Sequence, residues 1–210
     1  MYYKLWNNNN KISKHYFNDN NELISIIDNN KNNLIALNLM CRKFTKLPDL
    51  SKLVKLEELI LYDNKLTKLP DLSKLKNLLI LNCAHNNLTE IPDLSKLSKI
   101  FELNISYNKL IELPNLTNCK NLVYLFCSNN KLSVLPKLLH FKKLKLLSFY
   151  KNNIQIIPRS IIKCKNLEYY LKYNKYKYQF NLKLFLNKKI KYYYYISPMK
   201  YYTKIYICNF

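Results

Sequence analysis

LEELILYDNKLTKLP at residues 56–70, LLILNCAHNNLTEIP at 78–92 and IFELNISYNKLIELP at 100–114 carry the same residue types at the same places, 22 residues apart. The step continues through LVYLFCSNNKLSVLP at 122–136 and LKLLSFYKNNIQIIP at 144–158. It places a proline at Pro48, Pro70, Pro92, Pro114, Pro136 and Pro158, six of the seven in the chain. A large aliphatic residue recurs at Leu34, Leu56, Leu78, Ile100, Leu122 and Leu144, and an asparagine at Asn64, Asn86, Asn108, Asn130 and Asn152. A fixed period of this size marks an array of one small unit stacked on copies of itself, and it decides the fold class ahead of any local propensity.

Each residue type in the unit has a physical task. Alternation in Leu59-x-Leu61 and its equivalents predicts a short strand with its apolar side inward. Stacking successive units then makes a parallel sheet with one strand per repeat. The asparagine falls where the chain leaves the strand. Its side chain both donates and accepts, so it satisfies backbone groups the turn would leave buried, and its loss orphans groups worth about 1–3 kcal/mol. The proline fixes its own torsion and holds the residue before it out of helix, which keeps the return segment extended. Return segments such as PDLSKLVK have room for 3₁₀-like turns and not for a long helix. PRSIIKCKN makes the last unit read one residue longer than the others, and Arg42 in the asparagine position marks the first unit as an edge unit with a looser turn.

Written out, L-x-x-L-x-L-x-x-N-x-L-x-x-L-P resembles the unit of leucine-rich repeat proteins, over residues 34–166 and six units. The lysine- and asparagine-heavy character is similar to such proteins from AT-rich protists and giant DNA viruses. The resemblance implies an α/β repeat: a leucine-rich repeat solenoid with a curved parallel β-sheet on the concave face and short 3₁₀ or irregular segments on the convex face. Residues 1–33 read as a polar segment, including Asn7–Asn10 and Asn18–Asn21, and a helical cap in which Leu23, Ile26 and Ile27 have i, i+3, i+4 spacing. Residues 167–210 read as a degenerate repeat, over 167–176, followed by a Lys/Tyr-rich cap or tail.

In that family the side chains between the strand leucines face the concave surface, where partners dock. Carried onto this chain, the third strand position gives Ala36, Glu58, Ile80, Glu102, Tyr124 and Leu146. The fifth gives Asn38, Ile60, Asn82, Asn104, Phe126 and Ser148; the seventh gives Met40, Tyr62, Ala84, Ser106, Ser128 and Tyr150; the eighth gives Cys41, Asp63, His85, Tyr107, Asn129 and Lys151. These columns hold one lysine, Lys151, although the whole chain has 35 Lys and Arg in 210 residues. Tyr62, Tyr107, Tyr124, Phe126 and Tyr150 are the expected anchors for a protein or peptide partner, since aromatic side chains supply most binding hot spots. Glu58, Asp63 and Glu102 form the expected charge-selecting rim, and Ile60, Ile80 and Leu146 are expected to be exposed beside them.

Composition narrows the function further. There is no glycine, so no Gly-rich phosphate loop, and favoured Lys, Asn, Ile and Tyr codons point to an AT-biased genome. Of three histidines only His85 falls on the concave columns, with Cys41 two strands away and Asp63 between them. That order serves neither a nucleophile nor a relay, and an Asp63–His85 surface pair is expected instead. No catalytic residue, cofactor or metal is expected. Cys83, Cys119, Cys127 and Cys164 take the places of repeat aliphatics, which suits buried thiols in a reducing, cytoplasmic setting, that of a host cell included. No apolar run reaches the ~20 residues of a membrane span. The net charge of +22 is spread unevenly, and residues 167–210 carry nine lysines and twelve tyrosines against one acid. Interleaved cations and rings make nucleic-acid binding by this tail the alternative to concave-face protein binding.

Overall fold

The computed structural model describes residues 6–7, 20–30, 33–135, 140–155 and 167–170. Among the described residues eight strands form one sheet in chain order: β1 (Trp6–Asn7), β2 (Leu34–Asn38), β3 (Glu58–Ile60), β4 (Ile80–Asn82), β5 (Glu102–Asn104), β6 (Tyr124–Phe126), β7 (Leu146–Ser148) and β8 (Glu168–Tyr170). From β2 onward every pairing is parallel, and Leu37, Leu59, Leu81, Leu103, Leu125 and Leu147 stand opposite one another. The array is therefore a solenoid with a single core running along it. All six of these leucines are fully buried, as are the sixth-position residues Leu39, Leu61, Cys83, Ile105, Cys127 and Phe149 and the convex-side Leu50, Leu72, Leu94 and Cys119. Burial pushes the Cys83 and Cys127 thiols up to about 12 and Cys119 to about 11, so they pack as small apolar groups.

Each end of the described array differs from the sequence reading at one point, while the N-terminal helical cap stands where it was expected. Asn7, read as the start of a polar segment, lies in β1, which pairs antiparallel with β2 and covers backbone groups that an open edge would leave unpaired. Helix α1 (Asn20–Asn30) seats Leu23, Ile26 and Ile27 in the core. At the other end β8 keeps the 22-residue step, with Leu147 opposite Tyr169, so the extra residue read into the last unit does not shift the strand. The same step carries Asn152 onto Asn174 in the sequence. Pro136, Pro158, Cys164 and the Lys/Tyr-rich tail beyond residue 170 lie outside the described residues.

The convex side is built from tight turns. Leu53 and Leu56 N–H donate to the carbonyls of Leu50 and Leu53, and the pair recurs at Leu72–Leu75–Leu78, Leu94–Leu97–Ile100 and Leu116–Cys119–Leu122. Each is an i to i+3 bond, the 3₁₀-type spacing that a short return segment permits. In each PDLS the aspartate accepts from the serine two residues on: Asp49 Oδ1 from the Ser51 N–H at 2.9 Å, with Asp71–Ser73 and Asp93–Ser95 alike. These bonds hold the Asp49 and Asp71 carboxyls below their ordinary value.

The strand-to-turn exit is where the repeat asparagines act. Asn86 Nδ2 donates to the carbonyls of Leu61, Cys83 and Ala84, while its Oδ1 accepts the Leu66 N–H at 3.0 Å. Asn64, Asn108, Asn130 and Asn152 donate to the equivalent three carbonyls, so every one of them ties its own unit to the one before. In the first unit, where Arg42 replaces asparagine, Asn64 Oδ1 takes both the Arg42 and the Phe44 N–H. The edge turn is thus held from its neighbour rather than left loose.

The residue just before each asparagine is left-handed. Cys41, Asp63, His85, Tyr107, Asn129 and Lys151 all have φ between 52° and 58°, and Lys43 adds a second such residue in the first unit. Glycine takes this conformation without a Cβ clash, but the chain has none. We expect Lys151→Ile to cost about 1 kcal/mol, because a branched Cβ tolerates positive φ least, and Lys151→Gly to gain up to about that amount. Urea melts of the two variants check the ordering.

Candidate functional site

Parallel register sets the concave columns side by side. On the third column Glu58, Ile80, Glu102, Tyr124 and Leu146 are successive partners. Glu58 is exposed, and the other four are half-buried, so Ile80 and Leu146, like Ile60, are less open than their sequence positions suggest. The Tyr124 ring meets Phe101 edge-on at 5.2 Å and stacks toward Phe126 at 6.5 Å. Phe101, 40% exposed, carries this apolar surface over the strand edge. It was not among the sequence candidates, because it stands at the second strand position, outside the four columns.

A second aromatic group occupies the far side of the face. Tyr62 meets His85 edge-on at 5.1 Å, His85 stacks on Tyr107 at 4.0 Å, and the Tyr107 and Tyr150 hydroxyls share a hydrogen bond of 2.9 Å. His85 and Tyr107 both occupy left-handed positions, and the hydroxyl bond joins side chains two strands apart. Between Tyr62 and Tyr150 the seventh column is small: Ala84, Ser106 and Ser128 are buried and floor a shallow depression. Ser128 and Ser148 bond to each other at 2.7 Å. Asn38, Asn82 and Asn104 turn their Oδ1 onto the N–H two residues on, at 3.1, 3.1 and 3.2 Å. These bonds commit the side-chain oxygens to the turn. Such local Asx bonds are a known habit of asparagine, and that was the available signal.

The expected Asp63–His85 pair does not form. Asp63 Oδ2 accepts instead from the Cys41 thiol at 3.4 Å. Burial and then that carboxylate push the Cys41 pKa up, the reverse of what activates a nucleophilic thiol. Burial lowers the His85 pKa more than Asp63 raises it, so the stacked ring is neutral near pH 7. Among the described residues no group of three or more His, Cys, Asp or Glu is placed to hold a metal, and no helix is long and apolar enough to cross a membrane.

The two carboxylates of the third column are destabilised. Partial desolvation by the neighbouring strands, with Glu57 adding repulsion, raises the Glu58 pKa although the residue is exposed; burial, with Glu58 adding repulsion, raises that of Glu102. Groups raised in the fold favour folding below their ordinary value of 4.5, and that contribution is lost as pH rises through the folded pKa. Glu102→Gln should therefore raise the melting temperature near pH 7, with the gain shrinking as pH falls toward 4.5. Asp49 and Asp71, held low, work in the opposite sense and are untouched by this variant. Thermal melts across that range check the sign.

Comparison with known proteins agrees with this architecture. The family model for leucine-rich repeats in two copies matches residues 54–97. No curated protein sequence matches the chain. A leucine-rich repeat protein of Leptospira interrogans superposes with a TM-score of 0.52 at 28% identity, over 67% of this chain and 43% of that one. The functional domain of InlJ from Listeria monocytogenes, which includes a cysteine ladder, aligns with a TM-score of 0.47 at 20% identity, over 75% of this chain and 48% of its own. The chain thus spans less than half the length of each. Leucine-rich repeat domains are generally protein-interaction modules. By repeat unit, sheet and matched residues, the array in this chain is a leucine-rich repeat solenoid.

Proposed function

We propose that this chain is a non-catalytic binding module that holds a protein or peptide partner on the concave face of its sheet, as an intracellular adaptor. The observation that carries the reading is the concentration of half-buried rings there: Tyr62, Tyr107, Tyr124, Phe126 and Tyr150. Rings that are neither sunk in the core nor singly scattered offer large, rigid contact area at little entropic cost. Seven strands from β2 to β8, ~4.8 Å apart, span roughly 29 Å, the reach of a peptide of about nine extended residues.

Peptides selected on the full chain from a random display library would test it. Tyr124→Ala with Phe126→Ala should weaken the selected peptides by about 100-fold, the loss expected on truncating two hot-spot rings. Val134→Ala, which removes a side chain 63% exposed outside the sheet, should leave affinity unchanged. Unchanged binding by the double variant, with its far-UV circular dichroism intact, would remove the face from consideration.

A further inference from the structure

We propose that the segment held on this face is basic: a peptide presenting Lys or Arg side chains to Glu58 and Glu102 and apolar side chains to Ile80, Tyr124 and Phe126. The inference rests on the concave-face reading and narrows its partner class. Glu58 and Glu102 flank Ile80 in register, two strand spacings or roughly 9–10 Å apart. Tyr124 follows Glu102 on the next strand, so carboxylates and rings belong to one continuous surface. Neither carboxylate has a hydrogen bond or ion pair among the described residues. This holds in a chain of net charge +22 whose lysines lie almost wholly off the concave columns.

The charge class of the occupant follows from desolvation. Anything that covers Ile80, Tyr124 and Phe126 also covers Glu102, which is already half-buried. A neutral partner would strip water from an uncompensated carboxylate, and an acidic one would add repulsion. A cation removes both penalties and gains a charge-assisted hydrogen bond. The positive charge elsewhere on the molecule does not forbid this, because fields fade over ~8 Å at physiological salt. A partner running across the strands can put one basic side chain beside each carboxylate, with an apolar residue over Ile80.

The test uses the full chain and fluorescent peptides of about ten residues, long enough to cross the face. One repeats Lys-Ser-Val-Ser, so that lysine and valine alternate along a single face of the extended chain; one carries glutamate in place of that lysine, and one carries serine in place of that valine. The lysine–valine peptide should bind at least about tenfold tighter than either of the others. Glu58→Gln with Glu102→Gln should weaken it by about tenfold or more, although Glu102→Gln alone stabilises the fold. Loss of the peptide on Tyr124→Ala with Phe126→Ala, but not on the glutamine double variant, overturns the basic class and leaves the concave reading standing. Insensitivity to both pairs overturns both. Tighter binding of the glutamate–valine peptide, unaffected by the glutamine substitutions, overturns the proposal as well. A photo-reactive phenylalanine at position 80 should cross-link the lysine–valine peptide. A cross-link to a second copy, or to other residues of the same chain, would name a different occupant and overturn it.

Discussion

Asn86→Ala is expected to destabilise the array by about 3 kcal/mol, an effect out of proportion to the size of the side chain removed. The amide sits 8% exposed and serves four backbone groups: three carbonyls, of Leu61, Cys83 and Ala84, and the Leu66 N–H. Alanine takes the side-chain partner from the Leu61 and Cys83 carbonyls and the Leu66 N–H, while the Ala84 carbonyl keeps the Asp63 N–H at 3.0 Å. A buried unsatisfied group costs about 1–3 kcal/mol, so even partial relaxation leaves a loss of this order. Two of the four partners, Leu61 and Leu66, belong to the preceding unit. The substitution therefore weakens the coupling between units and the turn of one unit together.

Asn86→Asp separates the hydrogen-bond account from one based on volume. The shape is kept and the acceptor remains, but the Nδ2 donor that faces three carbonyls becomes a carboxylate oxygen. Three lone-pair contacts with a buried charge should make it at least as damaging as alanine near pH 7 and milder in acid, where the carboxyl protonates. Urea melts of both variants at two pH values would show this. If aspartate behaved as wild type near pH 7, the donor role would be wrong.

The repeat asparagine is also the clearest case of what the sequence made legible. A residue that both donates and accepts, recurring at the strand exit, has one physical use there, and the hydrogen bonds follow it. The inward leucines, the parallel register and the convex turns were readable for the same reason: each is dictated by a residue type at a fixed offset. The concave face was readable only as a set of positions. Its Tyr107–Tyr150 hydroxyl bond joins residues 43 apart, and the His85–Tyr107 stack joins two residues with a left-handed backbone that no glycine announces. The Asp63–His85 pair failed because proximity in a column does not say which neighbour a carboxylate will choose, and Cys41 lay on its other side. β1 was hidden because a two-residue strand has no period to read.

Leu103→Ala carries the largest expected loss, about 3–5 kcal/mol, and it should change the form of unfolding as well as its midpoint. Leu103 is fully buried in β5, with Leu81 on one side and Leu125 on the other. A cavity there is walled by two neighbouring strands whose spacing is fixed by backbone pairing, so it collapses poorly. In a stack where each unit touches only its neighbours, stability is a sum of unit terms and interface terms. Weakening a central unit lowers two interfaces at once and lets the halves of the array melt separately. Leu37→Ala, in β2 next to the N-terminal end, should cost a similar transfer energy but leave one long stack behind it. Circular dichroism and tyrosine fluorescence followed together in urea would resolve the difference. Coincident transitions are expected for wild type and for Leu37→Ala, and divergent ones for Leu103→Ala. A single sharp transition for the central variant would mean that the interfaces are stronger than the units, and that the solenoid behaves as one cooperative body.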